Sequence, residues 1–436
     1  MLSLLEKQFK LAENHTTVKT EVLAGVTTFM TMAYIIFVNP NILSQTGMPV
    51  GPLMVATCVS AAFATLLMAF WANYPIALAS GMGLNAFFAF SVVLNPEMGM
   101  TWQLALAAIF IEGIAFVLLT LTKLRETIVN TIPKSLKIGI ASGIGLFIAF
   151  IGLQGAGIVV DNPATLVGLG SIKNNFAIVL ALGGLILIGA LEYFKVSGSL
   201  LIGIIAVTGA GILLGKVPMP ESVISAPPSL APIFLQLDFS GLGNPNFWIA
   251  TFTFFFVDFF DTVGTLVGVC NRSGLLDEQG RLPRAREALM TDAVGTVAGA
   301  LLGTSTVTSY VESASGIAQG GRTGLTSVVV GILFLVSIFF SPLVGIVPVY
   351  ATAPALVMVG VYMMMGLRDL NFDDWTELLP AMLAFFMMPM AYSIAIGIEF
   401  GIASYVILKV VTGKAKDVSW VMTGLAVLFV LKECFA

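Results

Sequence analysis

One feature constrains this chain more than any other. Apolar runs close to 20 residues long follow one another from about residue 22 to residue 411, and about 20 residues is what an α-helix needs to cross a bilayer. Candidate spans lie near 22–40, 52–73, 76–95, 101–122, 137–156, 176–194, 199–215, 247–270, 288–303, 304–320, 324–341, 344–366, 377–394 and 395–411, and a further stretch at 420–431 is short for a span. Charged residues make up 10% of the chain, where a soluble domain carries about 25%. Backbone polar groups in hydrocarbon must be satisfied within the protein. The pattern therefore predicts an all-α polytopic membrane protein of about 14 segments, surrounded by membrane lipid. The charges sit in loops, and a net charge of −4 offers no footing for nucleic acid.

The opening MLSLLEKQFKLAENH has no long apolar run and no small-residue cleavage site, so it does not read as a secretory signal. Leu2, Leu5 and Phe9 among Lys7 and Lys10 suggest a short amphipathic piece on the membrane surface. Cys58, Cys270 and Cys434 show no motif spacing, and the single histidine, His15, lies outside the spans. Histidine-based metal sites and Ser-His catalysis within the membrane have no residues to use, and no metal or cofactor is expected.

Orientation follows from basic residues, which accumulate on the cytoplasmic side. With the N-terminus in the cytoplasm, seventeen of the 20 Lys and Arg fall inside, among them Lys7, Lys123, Arg125, Lys137, Arg284, Arg322, Arg368 and Lys414. The Pro- and Gly-rich loop from Lys216 to Asn246 is then external. Short loops suit a bacterial inner membrane.

Two of the segments are poor transmembrane helices. The third holds ALASGMGLNAFFAF and the tenth GTSTVTSYVESASGIAQGG, both rich in Gly, Ser and Thr. Asn85 and Glu312, at their centres, stand 227 residues apart, and the same separation carries Asp258 back to Thr31 in span one. Two pairs at one offset suggest two halves of seven spans. Seven is odd, so the halves are inverted. Inverted repeats with interrupted helices near the midplane are the mark of secondary transporters.

The carboxylates inside spans are the candidate site. A charge near the bilayer centre costs roughly 2.5–3.5 kcal/mol. Asp258 and Asp261, i and i+3 on one helix face, sit among phenylalanines in FTFFFVDFFDTVGTLVGV. They read as substrate or proton groups, or as caps for a neighbouring broken helix. Glu312 reads as a direct ligand. Backbone N–H groups at a helix break are free to bind, and a carboxylate accepts parallel hydrogen bonds from adjacent ring N–H groups. Tyr310 could stack on a flat ligand or simply pack. Asn85 offers both donor and acceptor, with Gly81 and Gly83 allowing close approach. Thr31 is a weaker candidate. Glu112 reads first as a structural or domain-contact residue. Glu192, Asp292 and Glu399 lie near span ends and are given no role.

GMGLNAFFAF, VDFFDTVGTLVGV and TSYVESASGIAQGGRTGLTSVVVG together resemble the nucleobase–cation symporter family 2, the nucleobase–ascorbate transporters, closest to the AzgA-like branch of adenine, guanine and hypoxanthine permeases. The resemblance runs from TTVKTEVLAGVTTFMTMAYIIFVNP to about residue 412. It implies a seven-plus-seven inverted repeat in which spans 1–4 (21–122) and 8–11 (247–341) form a core domain. Spans 5–7 (123–216) and 12–14 (342–412) form a gate domain, and residues 413–436 a tail. It implies a homodimer, elevator movement of core against gate, and a purine between the two broken helices. Carried over by position, Asp258 and Glu312 are the main base-binding carboxylates, Asn85 and Tyr310 match less firmly, and Asp261 is supporting or proton-linked. Some relatives hold a membrane histidine as proton carrier. Here any coupling proton would ride on Asp258, Asp261 or Glu312, since burial disfavours the charged form of a carboxylate.

Other classes fit less well. Three carboxylates would repel a small anion such as sulfate or bicarbonate. A channel does not need broken helices in inverted repeats. A paired-aspartate membrane protease would place its aspartates on two helices, whereas Asp258 and Asp261 share one. A carrier for uracil or xanthine remains the nearest alternative.

Overall fold

The structure is a computed structural model that describes residues 2–122, 133–173, 175–220, 222–273 and 283–435. Lys123, Arg125 and Arg281, counted above among the cytoplasmic basic residues, lie outside the described residues. Eight of the described helices are long and apolar enough to cross a membrane. Large apolar side chains such as Leu118, Ile186, Ile205 and Val411 point outward and stay exposed, as a lipid-facing surface requires.

Helices gather in two groups. Val18–Met32, Val50–Leu67, Trp102–Leu121, Pro245–Ser273, Ala285–Leu302 and Gly324–Ser337 pack with one another. Lys134–Gly155, Phe176–Tyr193, Ser199–Leu213, Val349–Met364, Trp375–Met390 and Ile394–Val411 make the second group. Small residues set the contacts of the second group, as expected where lipid supplies no hydrophobic drive between helices. A Cβ placed on Gly145 would lie 2.7 Å from the Gly360 carbonyl oxygen, and one on Gly360 2.3 Å from that of Gly145. Helices Lys134–Gly155 and Val349–Met364 therefore touch backbone to backbone.

The molecule is not purely helical. A strand β1 (Leu78–Ser80), two strands β2 (Val159–Asn162) and β3 (Leu166–Leu169), and a strand β4 (Val307–Ser309) interrupt it. β2 and β3 form a hairpin after the fifth apolar run. β1 and β4 come from the third and tenth runs and pair antiparallel, Leu78 with Ser309, Ala79 with Thr308 and Ser80 with Val307. Each is followed at once by a short helix, Met82–Ala86 continuing to Val93 after β1, and Ser313–Ala318 after β4.

Extended backbone at this depth must find partners, and side chains supply them. Thr65 accepts from the Leu78 N–H (2.9 Å) and donates to the Leu78 carbonyl (3.0 Å). On the other strand Thr296 donates to the Val307 carbonyl (3.0 Å) and Asp292 accepts from the Ser309 N–H (3.1 Å). The expectation that Asp292 sits near a solvated span end is corrected here. It lies within the helix Ala285–Leu302, is fully buried and holds a strand.

A second buried acid fixes the start of Gly324–Ser337. Glu21 accepts from the backbone N–H groups of Arg322 (2.9 Å), Thr323 (3.3 Å) and Thr326 (3.2 Å) and from the Thr326 hydroxyl (2.7 Å). Asn73 accepts from the Gly324 N–H (2.7 Å) and donates to the Phe9 carbonyl (3.3 Å). The N-terminal helix Leu2–Phe9 is thus tied to the bundle, with Phe9 and Leu11 buried against Leu325. The C-terminal stretch forms a helix, Trp420–Phe435, that packs on Ile394–Val411.

Candidate functional site

The paired strands bring the two irregular segments to one place. A small cavity of about 60 Å³ lies against them, with Tyr34, Gly81, Asp261, Thr308, Tyr310 and Glu312 in its wall. A larger cavity of about 580 Å³ shares Val311 and Glu312 with it and runs past Thr31, Ser199 and Tyr362 to Arg368 and Asp369. Glu312 stands where the two meet.

Glu312 is the residue before the short helix Ser313–Ala318, and its side chain makes no capping bond to that helix. The first N–H groups are taken locally instead, Ser313 donating to the Tyr310 carbonyl (3.2 Å) and Ala314 to that of Val311 (3.0 Å). The carboxylate is left to face the cavity, where Tyr34 donates to its Oε1 at 2.7 Å. Tyr34 is itself 1% exposed, so this bond fixes the acid against a rigid wall. Thr31 hydroxyl bonds first to its own helix, at 2.8 Å to the Thr28 carbonyl, and stands 3.5 Å from the Glu312 carbonyl.

The two aspartates of helix Pro245–Ser273 part company. Asp261 lines the small cavity opposite Glu312, and a Cβ on Gly81 would come within 3.7 Å of its Oδ2. Asp258 is fully buried one turn away and lines neither cavity. Its Oδ1 is 3.4 Å from the Thr262 hydroxyl, which also reaches Asp292 Oδ2 (2.7 Å) and the Thr308 hydroxyl (3.1 Å). Asp258 therefore joins a polar cluster behind β4, and Asp261 is the aspartate at the cavity.

Asn85 is fully buried and likewise stands behind the cavity wall. Its Oδ1 accepts from the Ser305 hydroxyl, linking the helix after β1 to the chain before β4. Its Nδ2 has no hydrogen-bond partner among the described residues. Tyr310 lines the cavity, and its hydroxyl donates to the Ser80 carbonyl across the strand pair. Its phenol is thus spent on the fold, with only the ring left to meet a ligand. Gly81 and Gly83 are needed for close approach. A Cβ on Gly81 would meet Thr308 Cγ2 at 2.8 Å, and one on Gly83 would meet Ile144 Cγ2, on helix Lys134–Gly155, at 2.5 Å.

Sequence reasoning passed over Tyr34. A tyrosine in an apolar span reads as packing, yet the 227-residue offset that pairs Thr31 with Asp258 also pairs Tyr34 with Asp261. Asp292 is set aside there for its closeness to a span end, and Glu21, just before the first apolar run, is not considered.

Half-buried Asp261 and Glu312 thus share a cavity wall beside the β1–β4 pair, in a helical bundle of the polytopic membrane class. The chain belongs to the permease family whose model matches residues 19–400, the nucleobase–ascorbate transporters. It is 53% identical over 432 residues to a putative permease of Methanocaldococcus jannaschii, covering 99% of this chain and 98% of that one. It is 46% identical to the adenine permease AdeP of Escherichia coli, covering 99% and 96%, and 46% identical to the guanine/hypoxanthine permease PbuG of Bacillus subtilis, covering 98% and 99%. Among solved structures it is similar in fold to the transmembrane domain of the cyanobacterial bicarbonate transporter BicA, at a TM-score of 0.66 and 17% identity, covering 88% of this chain and 97% of that one. SLC26A9 gives a TM-score of 0.64 at 12% identity, covering 94% and 69%.

Proposed function

We propose that this protein imports purine nucleobases, adenine, guanine or hypoxanthine, by proton symport. The observation that carries the reading is the meeting of Glu312 and Asp261 in one cavity wall built from both chain breaks. An anion would be repelled there, whereas a base presents N–H edges that carboxylates accept. The relatives' names, adenine permease and guanine/hypoxanthine permease, support the same class.

In this reading the base sets its N–H edge on Glu312, with Tyr34 holding the carboxylate in place, and leaves toward the cytoplasm through the larger cavity. Guanine offers N1–H and its 2-amino group side by side. Adenine lacks N1–H and would use an imidazole N–H or its 6-amino group. Asp261 carries the coupling proton, and Asp258, Asn85, Tyr310 and Thr31 support the wall. Protonation and base binding together neutralise the site, which lowers the cost of moving it through the membrane. The 14 spans form a seven-plus-seven inverted repeat, with 21–122 and 247–341 as a core that moves like an elevator against a gate of 123–216 and 342–412. The N-terminus is cytoplasmic and the protein works as a homodimer in the cell membrane. The larger cavity ends at Arg368, the cytoplasmic side on this topology, so the described conformation is open inward.

The test is uptake of radiolabelled adenine, guanine, hypoxanthine and uracil into cells lacking their own carriers, with and without a protonophore. Wild type should take up purines, and Glu312→Gln and Asp261→Asn should lose at least nine-tenths of that uptake. Full uptake by both variants would remove the site. Uptake indifferent to protonophore and pH would remove proton coupling. Uracil uptake without purine uptake would favour the pyrimidine alternative.

A further inference from the structure

A third cavity, of about 230 Å³, lies at the opposite end of the molecule from Arg368. Its walls are Asn41, Gln45, Phe90, Gln154, Thr352 and Tyr392, drawn from both helix groups. On the topology above, each of these residues lies near the external end of its segment. The volume sits just under the ~300–1,000 Å³ typical of sites for drug-sized ligands, which suits a smaller molecule.

The lining is organised rather than merely polar. Tyr392 has φ of 52°, a left-handed conformation that is uncommon outside glycine. It follows the end of helix Trp375–Met390, where the Ser393 N–H bonds back to the Met388 carbonyl, and this left-handed turn directs the Tyr392 ring into the cavity wall. Phe90, Phe147 and Phe150 pack edge-on to the Tyr392 ring at centroid distances of 6.1, 5.3 and 6.2 Å. The Ser91 hydroxyl donates to the Tyr392 carbonyl at 3.4 Å. The Tyr392 hydroxyl in turn donates to Gln154 Oε1 at 3.0 Å. That bond sets the amide, turning the Nε2 donors toward other acceptors. Asn41 Nδ2 donates to the Val347 carbonyl at 3.4 Å, which leaves its Oδ1 as an acceptor. Half-buried Phe90 offers an apolar wall between these amides.

An oriented amide donor, an amide acceptor and an apolar wall match the edge and face of a flat heterocycle. Asn and Gln amides read adenine's adjacent donor and acceptor in this manner elsewhere. Among the described residues no charged side chain lines the cavity, which suits a neutral ligand. We propose that this cavity is an external docking site, where a neutral purine base binds through Gln154 and Asn41 against Phe90 before it reaches Glu312. The proposal rests on the purine-carrier reading and adds a second, outer position to it.

The probe is 8-azidoadenine, added outside sealed right-side-out vesicles containing the full-length protein and photolysed, with labelled peptides mapped by mass spectrometry. Label should fall on the Asn41–Gln45 or Val349–Leu356 segments and be prevented by excess adenine. In the double variant Asn41→Leu/Gln154→Leu this outer label should drop at least tenfold, while label near Thr31 and Glu312 persists and reports an intact fold. In Glu312→Gln the outer label should remain. Adenine-protected label confined to the Thr31–Glu312 cavity would overturn the outer site and leave the purine reading standing. So would outer label that adenine does not prevent. A complete lack of adenine-protected label would overturn both.

Discussion

Replacing Glu21 with alanine tests how an interrupted membrane chain is held together. Glu21 takes three backbone N–H groups and one hydroxyl from Arg322, Thr323 and Thr326, and is completely buried. Together with Thr323, whose hydroxyl accepts from the Leu325 N–H, it caps helix Gly324–Ser337 although it belongs to another helix some 300 residues earlier. Hydrogen bonds to a charged group net about 1.5–3 kcal/mol each, and unpaired buried donors cost a similar amount. The four bonds share one carboxylate and do not add. A loss of about 3–5 kcal/mol, two full-strength bonds, is the expected scale. At ~1.4 kcal/mol per tenfold, local opening becomes roughly a hundredfold to a few thousandfold more frequent. Hydrogen exchange followed by mass spectrometry reads it directly, as lost protection in the peptide spanning 322–327. Glu21→Gln keeps one carbonyl acceptor and should lose less than half as much. Unchanged exchange over that peptide in Glu21→Ala would refute the assignment of Glu21 as the cap.

Three further outcomes are expected. Gly83→Ala forces a methyl into the space 2.5 Å from Ile144 Cγ2, so transport should fall at least tenfold in a well-expressed protein, and Ile144→Ala in the same chain should restore most of it. Lys409 is buried and paired with Glu377 at 2.7 Å. Removing one partner alone, as in Glu377→Gln, should cost about 3 kcal/mol, whereas the apolar pair Lys409→Met/Glu377→Leu should recover much of it in thermal unfolding, since lone buried charges cost more than well-packed apolar replacements. Asp374, half-buried just before helix Trp375–Met390, has its pKa lowered to about 2 by hydrogen bonds from the Thr376 side chain and backbone and by Lys414. Its pKa is depressed on folding, so its contribution is complete above about 4 and disappears as pH falls toward 2. Exchange at Thr376 should therefore be constant between pH 7 and pH 5, apart from the intrinsic rate, and rise only in that acid window.

Much of this was written in the chain's polarity. Carboxylates inside apolar runs stand out, and Asp261 and Glu312 do meet at one cavity. The two Gly-, Ser- and Thr-rich segments are visible as poor helices. What a single sequence could not give was which neighbour each polar group would find. Asp258 and Asp261 share a helix face by spacing, yet Thr262 draws Asp258 into a cluster with Asp292 and Thr308. Tyr310 was open between stacking and packing, and its hydroxyl turns out to lock Ser80. Tyr34 was hidden because nothing about a tyrosine in an apolar span announces a carboxylate some 280 residues away. Asp292 was discounted by its sequence position, which says nothing about how deeply a helix is buried once others pack around it.

The pairing of β1 with β4 also bears on how the protein can be made. The partners Leu78 and Ser309 are separated by more than half the chain, so neither strand can complete its ladder when it is synthesised. Until residue 309 has emerged, β1 must wait with polar backbone that hydrocarbon does not tolerate. Such long-range closure is slow by nature. The cavity wall is therefore assembled late, and fragments that end before β4 would keep most of their helices and yet lack the wall that the strand pair builds.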